Sequence, residues 1–126
     1  MKLSLSKEEI NKVFLDVLCN GAIGFLAQSD VEMTYSDEDY QKVRENGDCY
    51  EDVLLKIINT GGKLEFVDTE GDESKTLTLE VLTKALTNIE NQDFADYVLT
   101  LLKEEGDAEI GLCVLQYILY DDVIFG

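Results

Sequence analysis

Leu64-Glu65-Phe66-Val67-Asp68-Thr69-Glu70-Gly71-Asp72-Glu73-Ser74-Lys75-Thr76-Leu77-Thr78-Leu79 is the stretch on which the fold class turns. Leu64 and Phe66 alternate with polar or smaller neighbours, and Thr76 to Leu79 favours extended backbone. Between them lies a polar turn that contains a glycine. That pattern predicts a β-hairpin with Leu64, Phe66, Leu77 and Leu79 on one side. Its second strand runs directly into a helix, with Thr78 as the N-cap and Leu79, Leu82, Ala85, Leu86 and Ile89 as an apolar stripe.

Upstream, Ser6-Lys7-Glu8-Glu9 has the spacing of a capping box, in which a Ser hydroxyl and a Glu carboxylate each take up a free backbone N–H of the other residue. Ile10, Val13, Phe14, Val17 and Leu18 then recur with helical period, so a first helix ends near Asn20. Ala22 to Ala27 fits either a strand or a second short helix. Val31, Met33 and Tyr35 alternate with polar residues as a weak strand, and Ser36 to Asn46 reads as a loop or a short solvated helix. Asp48-Cys49-Tyr50-Glu51 repeats the cap pattern ahead of Val53, Leu54, Ile57 and Ile58, and Gly61-Gly62 stops that helix. Downstream, Asp93 to Asp96 and Asp107 to Ile110 open two further helices, and Val123 to Phe125 offers an apolar tail for a final strand. The expectation is one α+β domain over residues 1–126, a small antiparallel sheet with one clear hairpin packed against four to five helices.

Composition narrows the chemistry. The chain has 126 residues, 27 acids against 10 bases, a formal charge of −17, and no His, Pro or Trp. Hydrophobic residues make up 45%, with six Tyr and five Phe, which is enough apolar surface to offset chain entropy and to argue against disorder. Absence of His removes imidazole as base, proton shuttle or metal ligand. Arg44 is the sole arginine, so no clamp of several guanidiniums can hold a phosphate. The charge opposes direct binding to the nucleic-acid backbone or to an anionic membrane, and favours a basic partner or plain solubility. Cys19, Cys49 and Cys113 form no C-x-x-C pair; Cys19 and Cys113 sit in apolar helical patterns as small hydrophobes. Residues 1–6 lack the apolar core of a signal peptide, and no segment reaches membrane-spanning length. Together these read as a reduced, cytoplasmic location.

Local motifs give no cofactor or metal site and no catalytic group. Asp68, Glu70 and Asp72 begin like an EF-hand loop, but Glu73 stands where Gly is needed and Leu79 where a bidentate Glu is needed. A start at Asp37 fails likewise at Lys42. Gly21-Ala22-Ile23-Gly24 and Gly61-Gly62 lack the Lys and flanking elements of phosphate loops. Paired acids such as Asp121-Asp122 are adjacent in sequence, which is not the geometry that two-carboxylate hydrolysis requires.

Charge distribution is more informative. Residues 30–52 hold nine acids against Lys42 and Arg44, a net −7, and residues 85–126 hold nine against Lys103, a net −8. The first helix is balanced. Carboxylates spaced over a rigid surface can stand in for the phosphates of a duplex and occupy a basic groove. Asp37, Glu38, Asp39, Asp48, Glu51 and Asp52 are the candidate partner-binding residues.

Three blocks, Val17-Leu18-Cys19-Asn20-Gly21-Ala22-Ile23-Gly24-Phe25, Thr76 to Leu82, and Asp107 to Gly126 with its closing Asp122-Val123-Ile124-Phe125-Gly126, occur in the same order in a known group. The sequence resembles small acidic proteins of unknown function encoded by bacteriophages, prophages and mobile elements. It departs from them between its first two long helices and at Tyr120-Asp121. The resemblance implies a genomic setting and no catalytic residue or cofactor. The resulting expectation is a non-enzymatic, anti-CRISPR or anti-restriction inhibitor whose protein partner is a host nuclease or CRISPR effector with a basic surface. The alternative is a phage accessory or assembly protein that self-associates as a homo-oligomer, its charge serving solubility.

Overall fold

The computed structural model describes residues 2–71 and 73–124. Helix α1 spans Lys7–Cys19 and is capped as its sequence predicts: Glu9 N donates to Ser6 Oγ at 3.2 Å, and Ser6 N donates to Glu9 Oε1 at 2.9 Å. Ile10, Val13, Phe14, Val17 and Leu18 form its buried face. Asn20 ends it, and Gly21 at φ +82° turns the chain into α2 (Ala22–Gln28), a left-handed conformation that favours glycine. Among the described residues no single helix is long and apolar enough to cross a membrane; α1 and α2 together reach that length but bend by 50°.

Strand β1 (Val31–Thr34) pairs antiparallel with β2 (Leu64–Asp68), which pairs antiparallel with β3 (Ser74–Leu77), so the sheet order is β1-β2-β3. Leu64 faces Leu77 across the hairpin, and Phe66 faces Met33 across the other ladder. Val31, Leu64, Phe66 and Leu77 are buried on the face turned to the helices, while Glu32, Thr34 and Thr76 are exposed on the other. Asp68 closes the turn by accepting hydrogen bonds from Glu70 N at 3.0 Å and Gly71 N at 3.2 Å.

Helices α3 (Asp37–Val43) and α4 (Tyr50–Asn59) lie between the first two strands in sequence, and α5 (Leu79–Ala85), α6 (Gln92–Leu102) and α7 (Ala108–Tyr120) follow the sheet. Thr78 and Asp107 cap α5 and α7 as expected. The most enclosed helix is α7, with Gly111 and Val114 through Leu119 buried and contacts to α1, α2, α5, α6 and β3. It crosses α1 at Gly111, where an added Cβ would sit 3.3 Å from Asn20 Cβ.

The α+β class and the small antiparallel sheet are as the sequence indicates, but the described residues form seven helices rather than four to five. The extra two, α2 and α3, are the short-helix alternatives of the two ambiguous stretches; α2 buries only Ala22 and Leu26 and α3 buries no residue, so neither carries a clear apolar stripe. Ile89 does not continue the stripe of α5. The helix stops at Ala85, Asn88 takes φ +58°, and Ile89 instead forms an antiparallel bridge with Leu3, exchanging hydrogen bonds of 3.0 and 2.7 Å. Asn91, not Asp93, caps α6. Cys19, read as a small hydrophobe, is exposed because it falls on the last position of α1, past the buried face. In the tail, Val123 and Ile124 belong to no strand; Ile124 N donates to the buried Gln116 Oε1 at 2.9 Å. Phe125 and Gly126 lie outside the described residues.

Candidate functional site

The six acidic residues singled out above fall on α3, α4 and the short connection between them, and the two helices pack against each other. Asp37, Glu38 and Asp39 fill the first turn of α3, with Ser36 Oγ accepting from Asp39 N at 3.4 Å. Glu51 and Asp52 fill the first turn of α4. First-turn carboxylates complement the positive end of a helix, so this placement also supports the helices themselves. The structure therefore brings residues from both ends of the acidic segment onto two packed helices, with Asp39 by the C-terminal end of α4 and Glu51 and Asp52 in its first turn.

The six are not equivalent. Asp37 and Glu38 are exposed; Asp39, Glu51 and Asp52 are half-buried. None of these five makes an ion pair, and none of their carboxylates accepts a hydrogen bond among the described residues. Asp39 faces the end of α4, near Gly62 and in a small concavity shared with Lys42 and Lys63. Asp48 turns inward: its Oδ2 accepts from Lys56 Nζ at 2.7 Å and from Glu45 N at 2.9 Å. Those bonds, the ammonium's first, hold the Asp48 carboxyl below the usual carboxylate range, and they raise Lys56 in return. The cap pattern at Asp48 is accordingly corrected: Cys49 is the N-cap of α4 without a side-chain bond, and Asp48 braces the α3–α4 connection.

Three tyrosines cluster where these two helices meet the end of β1. Tyr35 follows β1, Tyr40 lies on α3, and Tyr50 opens α4. Their ring centroids are 5.4 Å apart for Tyr35 and Tyr40, which stack, 6.2 Å for Tyr35 and Tyr50, and 6.3 Å for Tyr40 and Tyr50. Tyr35 and Tyr40 are half-buried, whereas Tyr50 keeps 44% of its surface exposed. Burial, then a hydrogen bond with Tyr35, pushes the Tyr50 hydroxyl up to about 12, so it stays protonated at neutral pH. Composition and charge arithmetic pass over this cluster; the signal available was three of the chain's six tyrosines within residues 35–50.

Acidic character continues onto α1. Burial, followed by Glu51, Asp16 and Asp52, pushes the Cys19 thiol up. Asp16 itself is raised, chiefly by burial, and its Oδ2 is buried with no hydrogen-bond partner among the described residues. Elsewhere, many carboxylates are engaged in local structure. Asp107 caps α7 through Ile110 N at 2.9 Å, Asp96 accepts from Gln92 Nε2 at 2.8 Å, and Asp122 accepts from Val123 N at 2.8 Å. Among the described residues no group of three or more Asp, Glu or Cys side chains is arranged to hold a metal ion. A cleft of about 610 Å³ between α5 and the end of α7, with Lys75, Lys84 and Ile118 in its walls, includes none of the six acids or three tyrosines.

Fold and site together define a class: a helix-rich, acidic α+β protein with carboxylates outside any ion pair on two consecutive helices and a tyrosine cluster between those helices and the end of β1. Comparison with protein-family models, curated proteins and solved structures finds no match to this chain.

Proposed function

We propose that this protein is a non-enzymatic, phage- or mobile-element-encoded inhibitor of host defence, acting in the host cytoplasm. It presses its α3–α4 face into the basic nucleic-acid groove of a nuclease or CRISPR effector. The observation that carries this reading is the set of five carboxylates, Asp37, Glu38, Asp39, Glu51 and Asp52, on two helices that pack together, none of them in an ion pair among the described residues. Unpaired carboxylates on rigid helices offer a groove lined with Lys and Arg the charge it otherwise takes from phosphates, and desolvate without breaking ion pairs first. The acidic segment's net −7 supports the same reading.

The test is competition with duplex DNA for a candidate effector of the host. Inhibition is expected to weaken steeply between low and physiological salt. The double variant Asp37→Lys, Glu38→Lys, at two exposed positions, is expected to weaken it by more than about tenfold while far-UV circular dichroism stays unchanged. Inhibition indifferent to both salt and charge reversal sinks the mimic.

A second reading, assembly through the tail, is favoured by the 55% exposure of Ile124, a large apolar residue. Deleting residues 122–126 discriminates the two. Loss of self-association with an unchanged melting profile supports assembly; a monomer before and after deletion removes it.

A further inference from the structure

The carboxylates explain attraction to a basic surface but not what a partner's side chains meet on contact. Next to Glu51, at the first residue of α4, they meet a cluster of aromatic rings. We propose that the Tyr35–Tyr40–Tyr50 cluster is the anchor of this face and receives an arginine side chain of the partner, whose guanidinium lies over the exposed ring of Tyr50 while neighbouring carboxylates take up its N–H groups. This inference rests on the docking role proposed above and specifies the residue the face is shaped to receive.

Four observations carry it. The rings come from the residue after β1, from α3 and from the first residue of α4, so the platform is assembled by tertiary packing before any partner arrives. Tyr50 is one of four large hydrophobic residues exposed among those described, and it stands beside Glu51 in the acidic first turn of α4. The two half-buried rings behind it fix its position, which lowers the ordering cost of stacking a ligand on it. No Lys or Arg of the chain stacks on these rings among the described residues, although Lys42 and Arg44 are close in sequence.

Chemistry selects arginine among partner side chains. An aliphatic or aromatic partner would have to strip water from the surrounding carboxylates without replacing it, which is costly. A lysine ammonium replaces that water but is compact and strongly hydrated, so it gains less from a ring face. A guanidinium is planar and weakly hydrated; it stacks on an aromatic ring and still directs its N–H groups sideways to carboxylates. Tyr and Arg also recur as paired anchors at the centres of protein interfaces.

The full-length chain, titrated with octa-arginine and with octa-lysine at physiological salt, provides the test. Because the protein has no Trp, its own tyrosine emission reports the contact. Octa-arginine is expected to bind about threefold to tenfold more tightly than octa-lysine, a size typical of cation–π stacking. Tyr50→Leu is expected to erase that preference, and Tyr50→Phe, which keeps the ring, to retain it. Thermal melts of both variants verify folding. The anchor is overturned if the peptides bind equally, or if Tyr50→Leu keeps the arginine preference. In either case, salt-sensitive binding of both peptides leaves the carboxylate reading standing, whereas no binding of either removes both.

Discussion

Asp48 and Asp16 carry the same functional group into opposite situations. Lys56 and a backbone N–H hold the Asp48 carboxyl below its ordinary value, so its ionised form is favoured by folding. That contribution is present above the unfolded pKa of about 3.9 and is lost as pH falls through the lowered folded value. Burial raises Asp16, so folding disfavours its ionised form; the penalty is absent below the unfolded pKa and grows as pH rises through the folded one. Asp48→Asn is therefore expected to melt below the parent at pH 7 and Asp16→Asn above it. Both differences should close as the carboxylates protonate. Melting curves recorded from pH 7 down to pH 3 check the two signs together.

Helix contacts set the next scale. The α1–α7 crossing is close because Gly111 has no side chain, and the neighbour it approaches is Asn20, whose own position is fixed by two hydrogen bonds to Asp16 O, at 3.0 Å from the backbone and 2.8 Å from Nδ2. Alanine gains roughly 1 kcal/mol over glycine inside a helix, but overpacking against a neighbour that cannot move costs about 1–3 kcal/mol. Gly111→Ala is thus expected to lower stability by about 1 kcal/mol, measured as a reduced urea midpoint at unchanged slope. The α3–α4 pair shows how an element with little burial is held. Helix α3 has no fully buried residue, and what fastens it is Tyr40 and Val43 against the core, the tyrosine stack, and the Asp48 brace at its end.

At the scale of the whole molecule, the charge of −17 is unevenly neutralised. Lys2, Lys12, Lys56 and Lys63 pair with nearby acids, exposed or partly exposed bridges of small energetic worth, while the five carboxylates of the α3–α4 face have no such partner. This division could not be read from residue order, because a salt bridge depends on where two side chains end up. What the sequence alone determined is local: the box at Ser6 and Glu9, the caps at Thr78 and Asp107, the stripes of α1 and α4, and the hairpin from Leu64 to Leu77. Each depends on residues a few positions apart, or on a period that backbone geometry imposes, so it is written in the order of residues. The tertiary structure alone decided that Ile89 pairs with Leu3, that Asp48 faces Lys56 while Asp37 faces solvent, and that Tyr35, Tyr40 and Tyr50 meet. These contacts join different elements of the chain, and they form only because burying the apolar faces of α1, α4, α7 and the sheet in one core brings those elements together.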